Sequence, residues 1–303
     1  MSTVAGLVRH PWLRHLRLPF NLMLAPIYLY GATTGAASAG VARPLADPAF
    51  WIAFASLHLF LYGGTTAFNS YYDRDEGPIG GMLAPPAVDA GLLPFSLIVQ
   101  AIGLALALAV GGWFVVAWIV LFLLFTAYSH PAVRLKAHPV AAIAAIALGQ
   151  GAVGFAAGWL VFASVGDLLT LGPLVRMALT ASIVTGLYVV TQSYQADEDR
   201  ARGDRTLPVL LGPSRALRLA VVILMPGGVA LVADLARWAG PFVAATAAVV
   251  LAGVAVAIWR WASEIVSAST EANFRRAMGI VSVASGTTAG LLVWALAARA
   301  GSG

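Results

Sequence analysis

Nine stretches of roughly 20 apolar residues, each closed by Gly, Pro or charge, make up most of the chain, and that length is what an α-helix needs to cross a bilayer. They fall at about 18–39, 49–71, 91–110, 112–129, 139–163, 172–195, 215–236, 240–261 and 276–298. Backbone polar groups have no water to bond to in hydrocarbon, so such stretches are either helices or strands of a closed barrel. Barrel strands alternate apolar and polar residues, and these segments do not. The expected fold class is therefore all-α: a polytopic membrane protein with nine transmembrane helices bundled around a central cavity. Charged residues make up 10% of the 303 residues, against about 25% in a soluble domain, which excludes an ordinary soluble fold.

The bases set the expected orientation. Arg9, Arg14, Arg17, Arg74, Arg134, Lys136, Arg200, Arg202, Arg205, Arg215, Arg218, Arg260, Arg275 and Arg276 share one side, leaving Arg43, Arg176, Arg237 and Arg299 on the other. The positive-inside bias then places the N-terminus and the acidic helix ends in the cytoplasm, in a plasma (inner) membrane. Scattered through short loops, these bases are a topology signal rather than a nucleic-acid surface, so no nucleic-acid partner is expected. Residues 1–17, with Trp12 among Arg9, His10, Arg14 and His15, read as a cytoplasmic interfacial segment. Residues 18–303 read as a single transmembrane domain. It is open to an internal four-helix repeat over about 18–129 and 139–261, followed by a ninth helix.

With no cysteine in the chain, thiolate chemistry is excluded, and any reaction falls to carboxylates, amides, hydroxyls, His and bases. Seven of the 13 acids sit in two clusters after the second and sixth spans: Asp73, Asp75 and Glu76, then Asp197, Glu198, Asp199 and Asp204. Carboxylates grouped at a membrane boundary repel one another and are costly to desolvate. A divalent cation such as Mg²⁺, bridging a few carboxylates to substrate phosphate, explains them; two solvated acidic loops is the plainer alternative. On a helix Asn69 and Asp73 share a face, as do Gln195 and Asp199, so each cluster is an amide followed one turn later by an acid. Arg134 and Lys136, in the loop after the fourth span, lie on the same side and either hold phosphate charge or act as topology determinants.

These motifs resemble those of the UbiA superfamily of intramembrane prenyltransferases. Asn69-Ser70-Tyr71-Tyr72-Asp73-Arg74-Asp75-Glu76-Gly77 resembles the first acidic motif of that family, usually written NDxxDxxxD. The stretch from Gln195 to Val209 resembles the second, DxxxD followed by GxxTLPV, and Tyr128 to Lys136 resembles the YSxPxxRLK loop. Ser70, Gly77 and Gln195 stand where the family carries Asp, so the register of acids is shifted, with Asp75, Glu76 and Asp197 nearby as substitutes.

The resemblance implies an enzyme that ionises an allylic isoprenyl diphosphate with Mg²⁺ as cofactor and transfers the prenyl group to a lipophilic acceptor, aromatic or a quinone precursor. It implies Asp73 and Asp199 as principal metal ligands, supported by Asn69, Asp75, Glu76, Gln195 and Asp197. It implies Arg134 and Lys136 on pyrophosphate and Tyr128 beside the allylic cation. Asn21, in the first helix, and Arg205, after the second motif, are further substrate contacts on this reading. The isoprenoid tail would run between helices into membrane lipid. A terpene cyclase on the same scaffold is the alternative, and a cation-coupled transporter a third reading; mid-span acids would mark the transporter, whereas both clusters lie at helix ends.

Overall fold

The computed structural model describes residues 10–298. Arg9 and Arg299, two of the bases that set the expected orientation, and residues 1–9 of the expected interfacial segment lie outside the described residues. Among the described residues the fold is helical throughout, with one isolated bridge between Ile79 and Met82 and no strand.

Two short helices, α1 (Pro11–His15) and α2 (Leu18–Leu22), lead into α3 (Ala25–Ser38). α4 runs over 48–73 as two α-helical stretches, Pro48–Ala55 and Tyr62–Asp73, joined by a π-helical segment, Ser56–Leu61. Seven longer helices follow: α5 (Leu92–Val110), α6 (Gly112–Ser129), α7 (Pro139–Trp159), α8 (Leu171–Arg202), α9 (Pro213–Ala239), α10 (Pro241–Glu264) and α11 (Thr270–Ala298). These seven are long and apolar enough to cross a membrane. Large apolar side chains such as Leu108, Leu123, Leu148, Phe242, Val249 and Trp294 are exposed on their outer faces, as lipid-facing helices require.

The expected first span, 18–39, is corrected by its own sequence. Leu18–Leu22 ends in a turn at Met23 and Leu24, and Pro26 sits in the first turn of the helix that follows, so the segment divides and leaves a helix of 14 residues. Proline is tolerated at that position because no intrahelical donor is lost there. The sixth span, expected at 172–195, instead continues through a 3₁₀ turn, Ser193–Gln195, to Arg202, which makes the second acidic cluster part of a helix.

Helix ends are set by local chemistry. The Asp47 carboxylate accepts the Ala49 N–H at 2.9 Å ahead of α4, and Pro139, Pro213 and Pro241 occupy first-turn positions of α7, α9 and α10. Packing then depends on small residues. α3 lies against α7 so closely that a Cβ on Gly158 would stand 2.0 Å from the Tyr28 carbonyl oxygen, and one on Gly31 would stand 1.9 Å from that of Phe155. With no hydrophobic drive between helices in lipid, this close backbone approach is what holds the pair. α8, α9 and α10 pack side by side, α4 packs on α5, and α11 closes the bundle against α3 and α10.

The segment between α4 and α5 folds back over one end of the bundle. It is held by the Trp12 indole N–H on the Asp89 carboxylate (2.9 Å) and the Arg14 guanidinium on the Ala84 carbonyl (3.1 Å). Trp12, expected as a surface anchor, thus packs on this segment and on Phe95 of α5.

Candidate active site

α4 ends at Asp73 because the next residue, Arg74, turns left-handed (φ 50°) and returns its N–H to Ser70. The last turn of α8 carries Asp199, and the Gly203 left-handed cap closes that helix and brings Asp204 back beside it. Both ends open onto one cavity of about 340 Å³ whose charged lining is Arg17, Asp73, Asp75, Lys136, Asp199, Arg202 and Asp204. The rest of its wall is mostly apolar and runs down between α3, α8, α9, α10 and α11.

The carboxylates are buried and each has a cationic partner. Lys136 Nζ is ion-paired with Asp73 and donates to Asn69 Oδ1 at 3.2 Å, while the Ser129 hydroxyl donates to the same oxygen at 2.7 Å. Arg202 is the hub of the cluster: it is ion-paired with Asp75, and its nitrogens lie 3.5 Å from Asp199, 3.7 Å from Glu198 and 3.9 Å from Asp204. Asp199 also accepts from the Thr206 hydroxyl at 3.1 Å. Arg134 clamps both oxygens of Asp204 at 3.1 and 3.2 Å from its left-handed position (φ 42°), so the loop after α6 is tied to the turn after α8. Arg17, buried at the cavity wall, donates to the Ser70 hydroxyl at 2.6 Å.

Deeper in, Tyr128 and Tyr188 share a hydroxyl–hydroxyl bond of 2.7 Å, and the Gln192 amide donates to Tyr188 at 2.6 Å. Gln195 lines the cavity and donates to the Pro78 carbonyl at 3.1 Å, pinning the returning segment over the mouth.

Seven of the residues singled out from the sequence therefore line the cavity: Asn69, Asp73, Asp75, Tyr128, Lys136, Gln195 and Asp199. Five do not. Asp197 projects away from the cavity, its side chain 98% exposed and paired with Arg200, because it lies on the outer face of the last helical turn. Glu76 is exposed past the end of α4, and Arg205 is exposed with its backbone N–H on Ala137. The Asn21 amide is occupied with the Leu16 carbonyl at 2.7 Å, a tie between α2 and α1. Arg134 is outside the lining and reaches it through Asp204.

Arg17 and Arg202, named from the sequence only as topology charges, also line the cavity, and the alternation of Arg202 with acids is the sequence signal for its half-buried hub.

A family model matches the sequence that carries these two acidic helix ends and the base-bearing loop. The model of the UbiA prenyltransferase family covers residues 24–283. The chain belongs to this family. Among solved structures, a UbiA homolog from Archaeoglobus fulgidus bound to GPP and Mg²⁺ has 19% identity and a TM-score of 0.63, covering 90% of this chain and 99% of that one. The apo UbiA homolog from Aeropyrum pernix K1 has 20% identity and a TM-score of 0.63, over 89% of this chain and 97% of that one. A digeranylgeranylglyceryl phosphate synthase has 14% identity and a TM-score of 0.51, over 96% and 98%. At these identities the likeness is one of fold. No curated protein matches the sequence.

Mg²⁺ prefers oxygen ligands, keeps several waters and is held by one or two carboxylates together with substrate phosphate. The donor set here fits that habit. Asp73, Asp75, Asp199 and Asp204 outnumber the cavity cations Arg17, Lys136 and Arg202 by one, so a diphosphate entering alone would be repelled and one entering with a divalent cation would not. Among the described residues no group of three His, Cys, Asp or Glu forms a ready cage, which leaves coordination positions for phosphate oxygens and water.

Proposed function

We propose that this protein is an intramembrane prenyltransferase that ionises an allylic isoprenyl diphosphate with Mg²⁺ and passes the prenyl group to a lipophilic acceptor, aromatic or a quinone precursor. The observation that carries the reading is the convergence of Asp73, Asp75, Asp199 and Asp204, from the ends of two helices 126 positions apart at Asp73 and Asp199, on the mouth of one apolar cavity. The Archaeoglobus fulgidus homolog bound to GPP and Mg²⁺ supports both donor class and cofactor.

On this reading Asp73 and Asp199 would be the principal ligands of the cation, with Asp75, Asn69 and Gln195 supporting them. Bound there, Mg²⁺ supplies neutralisation of charge on the leaving pyrophosphate. Lys136, paired with Asp73, would be free to hold pyrophosphate oxygens where that carboxylate serves the cation, and Arg17 and Arg202 add fixed positive charge. Arg134 acts as a positioning residue through Asp204. The C1–O bond of the donor breaks with its electron pair on pyrophosphate. Tyr128, Tyr188 and the apolar walls keep water from the allylic cation, and their aromatic faces favour it. The acceptor's nucleophilic atom supplies the new bonding pair, and its proton leaves on pyrophosphate.

Nine crossings complete the arrangement: the seven long helices, α4 with its π-helical interruption, and the divided first segment α2–α3. The bias of Arg and Lys supports a cytoplasmic N-terminus and a cytoplasmic active site in the plasma (inner) membrane, with lipid around the bundle. The test is product analysis by mass after incubation of purified protein with Mg²⁺ and allylic diphosphates, with and without a lipophilic aromatic alcohol. Prenylated acceptor formed only when both are present is the expected result. A cyclic hydrocarbon or alcohol formed without acceptor would replace the reading with a terpene cyclase, and no diphosphate binding or turnover would return it to a transporter.

A further inference from the structure

One residue of the cavity wall, Tyr30, belongs to an ion-paired cluster that neither acidic motif contains. Arg176 of α8 donates through Nε and Nη2 to the two carboxylate oxygens of Asp234 of α9, at 2.6 and 2.8 Å. The Tyr30 hydroxyl of α3 donates to the same carboxylate at 2.7 Å. Tyr30 lines the cavity, its ring set edge-on to Phe155 and 5.8 Å from the Trp238 ring. A second hollow lies beyond, lined by Arg176 and Trp238 together with Thr34, Trp159 and Thr170. Tyr30, with the pair that fixes it, is thus a partition between two spaces.

Its depth follows from helix geometry. Arg176 and Asp199 stand 23 positions apart on α8, roughly 35 Å at 1.5 Å per residue, so the partition lies about one hydrocarbon thickness from the carboxylates. Ala247 of α10 lines the same deep end, six positions from the start of its helix. A phenol in an apolar wall needs a partner for its hydroxyl, and a carboxylate at this depth needs a cation. The triad satisfies both at once and leaves the ring of Tyr30 with little freedom to swing aside.

We propose that Tyr30, held by Asp234 and Arg176, is the floor that limits the length of isoprenoid chain the cavity accepts. The inference rests on the prenyl-diphosphate reading of the same cavity. A chain too long for the floor meets a fixed ring rather than a mobile aliphatic side chain. In place of escaping between helices into lipid, the distal isoprene units stack toward Tyr30.

The experiment measures kcat/KM of the full-length protein in detergent or bilayer for a ladder of allylic diphosphates from one to about ten isoprene units, long enough to reach the floor, with one acceptor. Tyr30→Ala joins the two spaces and is expected to raise the ratio of the longest to the shortest accepted donor at least about tenfold, the scale on which pockets discriminate by size. Ala247→Phe, which leaves the triad intact, is expected to lower the same ratio by a similar factor while the shortest donor still turns over. Tyr30→Phe keeps the ring and is expected to keep the profile. Turnover of every donor with an unchanged profile in both Tyr30→Ala and Ala247→Phe would overturn the floor and leave a structural tie with a tail that exits into lipid. Absence of turnover with any donor in the unmodified protein would overturn the prenyl-diphosphate reading itself.

Discussion

At the residue scale the site is governed by how few cations serve many carboxylates. Arg202 approaches four acids from a position 25% exposed, and its planar guanidinium can face several of them at once, which a Lys ammonium cannot do in the same geometry. Removing it leaves Asp75 and Asp199 buried with less compensation, and a bound divalent cation would then supply the missing charge. Arg202→Gln is therefore expected to lower the melting temperature in the absence of Mg²⁺ by several degrees and to enlarge the rise in melting temperature on adding Mg²⁺. Equal Mg²⁺ shifts in variant and parent would separate Arg202 from the cation site.

His15 gives a second residue-scale expectation. Burial, reinforced by the Arg17 and Arg14 charges, pushes its imidazole from the ordinary 6.5 down to about 4. The folded state thus holds His15 neutral where the unfolded chain would protonate it. Stability from this site is full above pH 6.5 and falls as pH drops toward 4, since the unfolded state binds the extra proton in that window. A His15→Leu variant is expected to show a shallower loss of melting temperature over that interval than the parent, read by thermal scans at stepped pH.

At the element scale the close pair α3–α7 carries the bundle's most exacting contact. A side chain at Gly158 has no space against the Tyr28 carbonyl, so Gly158→Leu forces the two backbones apart. The expected cost is about 3 kcal/mol, the upper end for overpacked cores, measured as loss of folded protein on extraction and a lower melting temperature. Which elements form was legible because hydropathy is local: the stretch expected at 112–129 is the helix Gly112–Ser129. The first segment was not, since its division depends on a turn at Met23 and Leu24 and on Pro26 opening a new helix, neither of which lowers apolar content.

The site was legible where spacing along one helix sets geometry, as for Asn69 with Asp73. It was not where geometry comes from contact between distant segments. Asp197 is expected from sequence to support Asp199, yet a helix places residues two apart on nearly opposite faces, and one is exposed while the other lines the cavity. Tyr30 and Asp234 are 204 positions apart and belong to no motif, so only the folded chain brings them together.

For the whole molecule, the proposed orientation puts the acidic mouth in the cytoplasm. The chain has no cysteine, so single introduced thiols report orientation without background. Ala201→Cys, exposed at the acidic end, is expected to react with a membrane-impermeant maleimide in inverted vesicles, and Ala42→Cys, exposed in the loop after α3, in right-side-out vesicles or cells. The reverse pattern would invert the topology and move the active site to the outer face.

The measurement that bears most directly on the central claim, that the two helix-end carboxylates act on a diphosphate together with Mg²⁺, is pyrophosphate release from an allylic diphosphate, compared across three variants at saturating Mg²⁺. Asp73→Asn and Asp199→Asn are each expected to lose about 100-fold or more in rate, the cost of removing a group that stabilises transition-state charge, while exposed Asp197→Asn stays within about twofold of the parent. Release that persists unchanged in Asp73→Asn and Asp199→Asn would contradict the account.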